Sequence, residues 1–85
     1  MKHSASSSFW AAYHALPESI QALADKSFAL LKQDSAHPSV RLKPVGRYCS
    51  ARVGLHYRAL GVPIEGGIVW FWIGAHGEYE RIIRR

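Results

Sequence analysis

The stretch IVWFWIGAHGEYERI, residues 68–82, decides the fold predicted for this chain. Six large residues that favour extended backbone, Ile68 to Ile73, predict a buried strand. The first side chains with useful proton chemistry, His76 and Tyr79, follow soon after it. Because a packed strand is rigid, the groups just past its end are held in place, as a catalytic or binding site requires. The alternative interpretation is a core strand that ends in a polar tail.

Length and composition predict one small domain over residues 1–85. The chain is 48% hydrophobic and 20% charged, which is typical of a globular protein. No stretch is long enough to span a membrane, and the polar start lacks the apolar segment of a secretion signal. The single cysteine, Cys49, excludes an internal disulfide. We therefore expect a cytoplasmic protein.

The net charge of +5 lies entirely after residue 40. Seven of the eight cations beyond that point are arginines, whose planar fork donates paired hydrogen bonds to phosphate. Since these residues recur along predicted strands, they indicate a surface that binds phosphate or an acidic partner. The alternative is a solvated basic face.

Two helices are predicted in the first half of the chain. Apolar residues at three- and four-residue spacing predict one helix over residues 9–16 and a second over residues 17–33. Pro17 suits the first turn of the second helix, because its missing N–H would have no partner there. Together the helices form a hairpin with one apolar side. The serine-rich residues 1–7 are either a frayed tail or a short edge strand.

Four strands are predicted after the turn-forming residues 34–39. They span residues 40–45, 48–53, 55–62 and 68–73. Their connections are too short for parallel crossovers, so neighbouring strands must be antiparallel. The predicted fold class is therefore α+β, with an N-terminal helical hairpin packed on one face of a four-stranded twisted antiparallel sheet.

Strand alternation places basic, aromatic and histidine side chains on the face that the helices leave open. For the last strand this requires extended backbone beyond Gly74. Tryptophans in such a strand are more often packed in a core than used to stack on bases. The predicted face comprises Tyr48, Ser50, Arg52, His56, Arg58, Trp70, Trp72 and His76.

The sequence contains no recognisable metal or cofactor motif. No set of histidine, cysteine or acidic residues has the spacing of metal ligands. The Gly66-Gly67 pair lies between strands and opens no helix of the kind that binds nucleotide phosphates. We predict neither a metal nor a cofactor.

Three groups of residues, in their order along the chain, resemble the RelE/ParE superfamily of toxins from bacterial type II toxin-antitoxin modules. The resemblance covers nearly the whole chain and implies a helical hairpin on a four-stranded antiparallel sheet. It is carried by Phe9-Trp10 with Leu16-Pro17 and Ile20-Gln21, by Arg52-Val53-Gly54 with Tyr57-Arg58-Ala59-Leu60, and by the stretch from Trp70 to Tyr79.

This resemblance implies a metal-free endoribonuclease that cuts mRNA on the ribosome, through attack of the ribose 2′-OH on the adjacent phosphate. The resemblance further implies that Arg52 and Arg58 face the scissile phosphate, that His76 transfers a proton and that Tyr79 is an aromatic residue near the site. The archetypal ribosome-dependent member has a lysine pair where this chain has Ser50 and Arg52. Further cations expected to bind RNA are Arg41, Lys43, Arg47 and Arg81.

Two other interpretations remain open. A ParE-like toxin would trap DNA gyrase without cleaving RNA, and a degenerate member would only bind its antitoxin. All three imply a cognate antitoxin as partner, with an acidic or partly disordered segment that covers Arg52 and Arg58. Ribosome-bound mRNA is the second partner of a ribonuclease, and DNA gyrase that of a gyrase poison.

Overall fold

The computed structural model describes residues 1–84, which form a mixed five-stranded sheet and three helices. The strands lie in the order β1-β5-β4-β3-β2, with β1 parallel to β5 and the other neighbours antiparallel. The α+β class is as predicted. Along the chain the elements are β1 (Lys2–Ala5), α1 (Ser7–His14), α2 (Glu18–Gln33), β2 (Lys43–Val45), β3 (Tyr48–Val53), β4 (Tyr57–Ile64), β5 (Gly67–Ala75) and α3 (His76–Ile83).

The prediction of four antiparallel strands is wrong, because the serine-rich start supplies a fifth strand. β1 runs parallel to β5, with Lys2 opposite Gly67. Four residues of this composition carry little strand signal of their own, so their conformation depends on pairing with β5. The serines beyond β1 begin α1, where the Ser6 hydroxyl accepts a hydrogen bond from the Phe9 N–H at 3.3 Å.

The two predicted helices are present, but they do not form the expected N-terminal hairpin. β1 precedes them, and each helix packs on a different strand, α1 on β5 and α2 on β3. The Tyr13 hydroxyl donates a hydrogen bond of 2.7 Å to the Asp25 carboxylate and so joins α1 to α2. The pair therefore depends on the sheet for its arrangement rather than on a shared helix–helix seam.

The helix α3 replaces the polar tail or continued strand that the sequence predicts after Gly74. It begins at His76, directly after β5. Local propensity does not predict α3, because Gly77 disfavours a helix and the residues before it favour a strand. Tyr79 is 4% exposed, and α3 contacts β4 and β5. Burial of one face on the sheet stabilises α3, because isolated helices this short are not stable in water.

The main core lies between the sheet and the helices α1 and α2. Its buried members come from α2, from the loop before β2 and from the three central strands. Among residues 1–84 no helix has both the length and the apolar character needed to cross a lipid bilayer. The buried core comprises Ala24, Leu31, Val40, Ala51, Val53, Ala59, Ile68, Trp70 and Ile73.

A β-bulge sends the two tryptophans of β5 to opposite faces of the sheet. Gly61 pairs with Trp70 and its neighbour Leu60 pairs with Trp72. Phe71 of β5 therefore has no pairing partner in β4. Trp70 is 3% exposed and belongs to the helix-side core, while Trp72 shares the other face with Leu60. The expectation that Trp70 and Trp72 point the same way is therefore wrong.

Local features accommodate the bulge and the rings beside it. The Ser8 hydroxyl donates a hydrogen bond of 2.8 Å to the carbonyl of Phe71. A side chain at Gly61 would clash with Trp70, and one at Gly74 would clash with Trp72. Both tryptophans thus lie against backbone where only glycine leaves enough space.

His3 connects β1 to the core. Its Nδ1 accepts a hydrogen bond of 3.1 Å from the indole N–H of Trp70, and its ring also meets Phe28 edge-on. Since Nδ1 acts as an acceptor, the imidazole is neutral in the folded state. Burial lowers the pKa of His3, because the charged form loses hydration.

We expect acid to destabilise the fold through His3. Above its unfolded pKa of about 6.5 the imidazole is neutral in both states. As the pH falls below that value the unfolded chain binds the proton first, so stability is lost until the pH has passed the lower folded pKa. Between about pH 7.5 and pH 5.5 the melting temperature should fall more for wild type than for His3→Asn, whose amide oxygen accepts without titrating. Equal slopes for the two proteins would contradict this assignment.

Candidate functional site

Two arginines are directly paired on the sheet face that α1 and α2 leave open. Arg52 on β3 opposes Arg58 on β4, and such opposed residues have Cβ atoms about 4.5–5.5 Å apart. Each guanidinium is held by one main-chain carbonyl, Arg52 Nε by Gly54 at 3.0 Å and Arg58 Nη1 by Tyr57 at 2.9 Å. Because a guanidinium has five N–H donors, most of them stay available to a ligand.

This arginine pair has no carboxylate partner within the described residues. The ion pairs in that part of the chain are His76 with Glu80 and Arg84 with Glu80. Like charges directly opposite each other destabilise a sheet, and both arginines are half-buried, where solvent screens them less. An anion bound between them would relieve the repulsion, and phosphate matches the paired donors of arginine. The arginine pair is therefore chemically suited to bind an anion such as phosphate.

Trp72 lies beside the arginine pair. Arg58 pairs with Gly74, and the indole of Trp72 covers the Gly74 backbone. Trp72 is half-buried, so part of its ring faces solvent, in contrast to the fully packed Trp70. An aromatic surface next to cations suits a nucleic-acid base, which can stack while its phosphate is bound. The sequence places Trp72 on this face but favours a packing role, because most buried aromatic residues are structural.

The backbones of two histidines meet where β4 begins and β5 ends. The N–H of His76 donates a hydrogen bond of 2.8 Å to the carbonyl of His56, in the turn before β4. The side chain of His76 is 45% exposed, and its Nε2 lies 3.6 Å from the Glu80 carboxylate. His56 precedes Arg58 by two residues and is exposed. The sequence predicts His56 on this face but assigns it no chemical role.

Tyr79 is buried next to His76 and does not face solvent. The centre of its ring lies 5.5 Å from that of His76, but its side chain is 4% exposed. A ring so deeply buried cannot stack on a base or reach a substrate. Tyr79 is better described as a positioning residue, because its packing fixes α3 and thereby the start of that helix at His76.

Of the other predicted cations, Arg41 and Lys43 lie near the pair. The N–H of Arg52 donates to the carbonyl of Val40, so the backbone of Arg41 runs beside Arg52. Arg41 has a φ of 45°, which is uncommon for a residue with a side chain. Lys43 opposes Ser50 and therefore shares the arginine face, one row along. Ser50 itself is buried rather than exposed as predicted.

Arg47 and Arg81 lie farther from the arginine pair. Arg47 is in the turn between β2 and β3, at the opposite end of β3 from Arg52. Arg81 is exposed on α3, five residues after His76, which turns it to another side of the helix. No three histidine, cysteine or acidic side chains among residues 1–84 are grouped to hold a metal ion.

Solved toxin structures share this architecture. The chain is similar to the RelB-RelE antitoxin-toxin complex from Methanococcus jannaschii, with a TM-score of 0.72 and 12% identity over 93% of this chain and 96% of that chain. The chain has the fold of RelE toxins. Isolated E. coli RelE toxin matches with a TM-score of 0.63 and 10% identity over 96% of this chain and 95% of that one. A copper-bound mutant toxin from Helicobacter pylori matches with a TM-score of 0.62 and 13% identity over 92% of this chain and 97% of that one.

The likeness to RelE toxins lies in the fold and not in the sequence. The sequence matches no protein-family model and no curated protein. The resemblance to RelE/ParE toxins that the sequence indicates is confirmed at the level of the fold. Because one fold supports many functions, activity must be argued from the site.

We expect Arg58→Gln to abolish specific stabilisation by sulfate, a tetrahedral dianion that stands in for phosphate. At equal ionic strength, sulfate should raise the melting temperature of wild type more than that of Arg58→Gln, by roughly 4 °C if binding contributes about 1 kcal/mol. In chloride alone the variant should be no less stable, because a like-charge contact is lost. Lys26→Gln, on the exposed side of α2, controls for general salting effects and should respond as wild type. An equal response of Arg58→Gln and Lys26→Gln would contradict the anion site.

Proposed function

We propose that this protein is the toxin of a toxin-antitoxin pair and acts as an RNA-cleaving enzyme that needs no metal. The observation that carries the proposal is the pair of Arg52 and Arg58, opposed without a carboxylate partner among residues 1–84 and adjacent to two histidines. The RelE-like fold supports it, since all three similar structures are toxins or contain one. RNA is the substrate of choice because it carries its own nucleophile, the 2′-OH.

The reaction that this site suits is transfer of the phosphate from the 5′-oxygen to the 2′-oxygen. The 2′-oxygen bonds to phosphorus as its proton leaves, the bond to the 5′-oxygen breaks, and a proton is delivered to that leaving oxygen. Negative charge on the phosphoryl oxygens increases in the transition state. Arg52 and Arg58 stabilise that charge with donors held in advance by main-chain carbonyls.

The two histidines beside the start of β4 and the end of β5 carry out the two proton transfers. The side chain of His76 is 45% exposed and so accessible to a substrate, and its Nε2 lies 3.6 Å from the Glu80 carboxylate. His56 supplies the second proton carrier, which the sequence by itself does not identify. Arginine cannot act as the proton carrier, because it is always charged. We assign His76 as the acid for the leaving oxygen and His56 as the base for the 2′-OH.

Substrate binding extends from the arginine pair along the open sheet face. Trp72 offers a partly exposed ring for a base, as in the binding of single-stranded RNA. Arg41 and Lys43 contact the flanking phosphates, and Arg47, in the turn between β2 and β3, binds a phosphate farther from the arginine pair. mRNA on the ribosome, where the message is single-stranded, is the substrate that we propose.

The second partner is a protein antitoxin. The solved complex from Methanococcus jannaschii shows that a chain of this fold assembles with an antitoxin. With a net charge of +5 and an arginine pair lacking a carboxylate within residues 1–84, this chain suits an acidic segment. Such a segment would occupy the same anion site as the substrate and exclude it.

Induced expression in bacteria is the direct test of this function. We expect growth arrest together with new mRNA 5′ ends within codons, detected by primer extension. Arg52→Gln and Arg58→Gln should each lower cleavage by about two to three orders of magnitude, because each removes a donor aimed at the transition state. Lys26→Gln on α2 should cleave as wild type does. Arrest with intact message and induced DNA damage would instead indicate a gyrase poison, and the absence of arrest at high expression would indicate a protein that only binds its partner.

Histidine variants test the proton transfers separately. His76→Ala and His56→Ala should each lower cleavage by roughly two to four orders of magnitude. Their melting temperatures should stay close to that of wild type, because both side chains are partly or fully exposed. His14→Ala, an exposed histidine on α1, is the matched control and should remain active. A folded His76→Ala variant with full activity would remove His76 from the mechanism.

A further inference from the structure

A second site lies on the other side of the sheet, between its helix-side face and the helices α1 and α2. Because α1 packs on β5 and α2 packs on β3, the intervening strand β4 is the least covered of the three. The side chains that meet above it are small: Ala24 from α2, Ala51 from β3 and Ala59 from β4. With the surrounding side chains they line a cavity of about 210 Å³ that is partly open to solvent. Protein interiors are otherwise close-packed, so a space of this size beside the core of a small protein is wide enough to admit a small ligand.

We propose that this cavity binds a small, uncharged aromatic molecule of one or two fused rings. Its walls include the rings of Phe9, Phe28 and Trp70, which favour edge-on and offset contacts with another ring. An engineered apolar cavity of about 150 Å³ stays dry and takes up benzene. The larger space here accommodates a molecule up to the size of indole.

The mostly apolar lining favours an uncharged ligand over ordered water or a charged molecule. No buried side-chain nitrogen or oxygen in residues 1–84 lacks a hydrogen-bond partner, whereas a stably bound water needs two to four polar partners. A charged group among the apolar walls would lose hydration that these walls do not replace. An apolar ring meets neither penalty.

Two polar groups of the lining lie in an exposed hydrogen bond. It runs for 2.7 Å from the Tyr13 hydroxyl to the Asp25 carboxylate and joins α1 to α2, and both residues line the cavity. Trp10, which also lines it, is 47% exposed. Because the cavity is partly open, a ligand can enter without unfolding of the helices, and the Asp25 carboxylate can accept a hydrogen bond from a ligand N–H. Indole, with one N–H on an apolar bicycle, is the probe of choice.

Calorimetric titration of the full chain with indole tests the site, with two alanine-to-leucine variants of α2. Wild type should bind one indole with a saturable heat and show a raised melting temperature. Ala24→Leu, which fills the cavity, should weaken binding by about tenfold or more, because the leucine takes the volume of the ring. Ala22→Leu, on the exposed side of the same helix, should bind as wild type does.

The outcomes separate a specific site from an empty packing defect. Circular dichroism checks that each variant is folded, and Ala59→Val, which narrows the floor from β4, replaces Ala24→Leu if that variant does not fold. Indole-3-acetate carries the same ring with a carboxylate and should bind at least about tenfold more weakly, since its charge would be desolvated. The absence of saturable indole binding to wild type, equal binding by the filled and control variants, or equal binding of the two probes would each overturn the proposal.

Discussion

The one extra residue in β5 determines which side chains meet on each face of this sheet. A shift of one residue moves every following side chain of a strand to the opposite face. Ile68 and Trp70 before the bulge and Ile73 after it all reach the same helix-side core only because Phe71 is inserted between them. Without the bulge, either Ile68 and Trp70 or Ile73 would lie on the face that carries the arginines. The same insertion frees Trp72 for the other face.

The two faces therefore serve opposite purposes. The helix-side face buries apolar side chains and stabilises the fold, whereas the open face places Arg52 directly against Arg58. Two guanidinium groups in register, with no carboxylate nearby in the described residues, oppose folding in the absence of an anion. Local destabilisation of this kind is expected where a site has to bind charge, and other parts of the protein must offset it. Leu60 and Ser50, which pair two residues along on the same face, are buried and give the site a rigid border.

Precision at the site comes from the elements that end around it. The turn after β3 presents a carbonyl to Arg52 and carries His56, while β5 ends in α3 and so fixes His76. Tyr79 links these parts, because its burial holds α3 against β4 and β5. Rigid strands with short connections thus position groups that lie far apart in the sequence.

The sequence by itself determined the α+β class, the approximate positions of α1 and α2, the bounds of β3 and the presence of Arg52 and Arg58 on one face. These follow from periodicity and turn residues, which are properties of neighbours along the chain. Only the tertiary structure decided that residues 2–5 form a strand, that β5 contains a bulge and that α3 exists. Each of these is stabilised by contacts between distant segments and not by local preference, so no local pattern records it. The burial of Tyr79, the separation of Trp70 from Trp72 and the backbone contact between His56 and His76 depend on them, and for that reason could not be predicted.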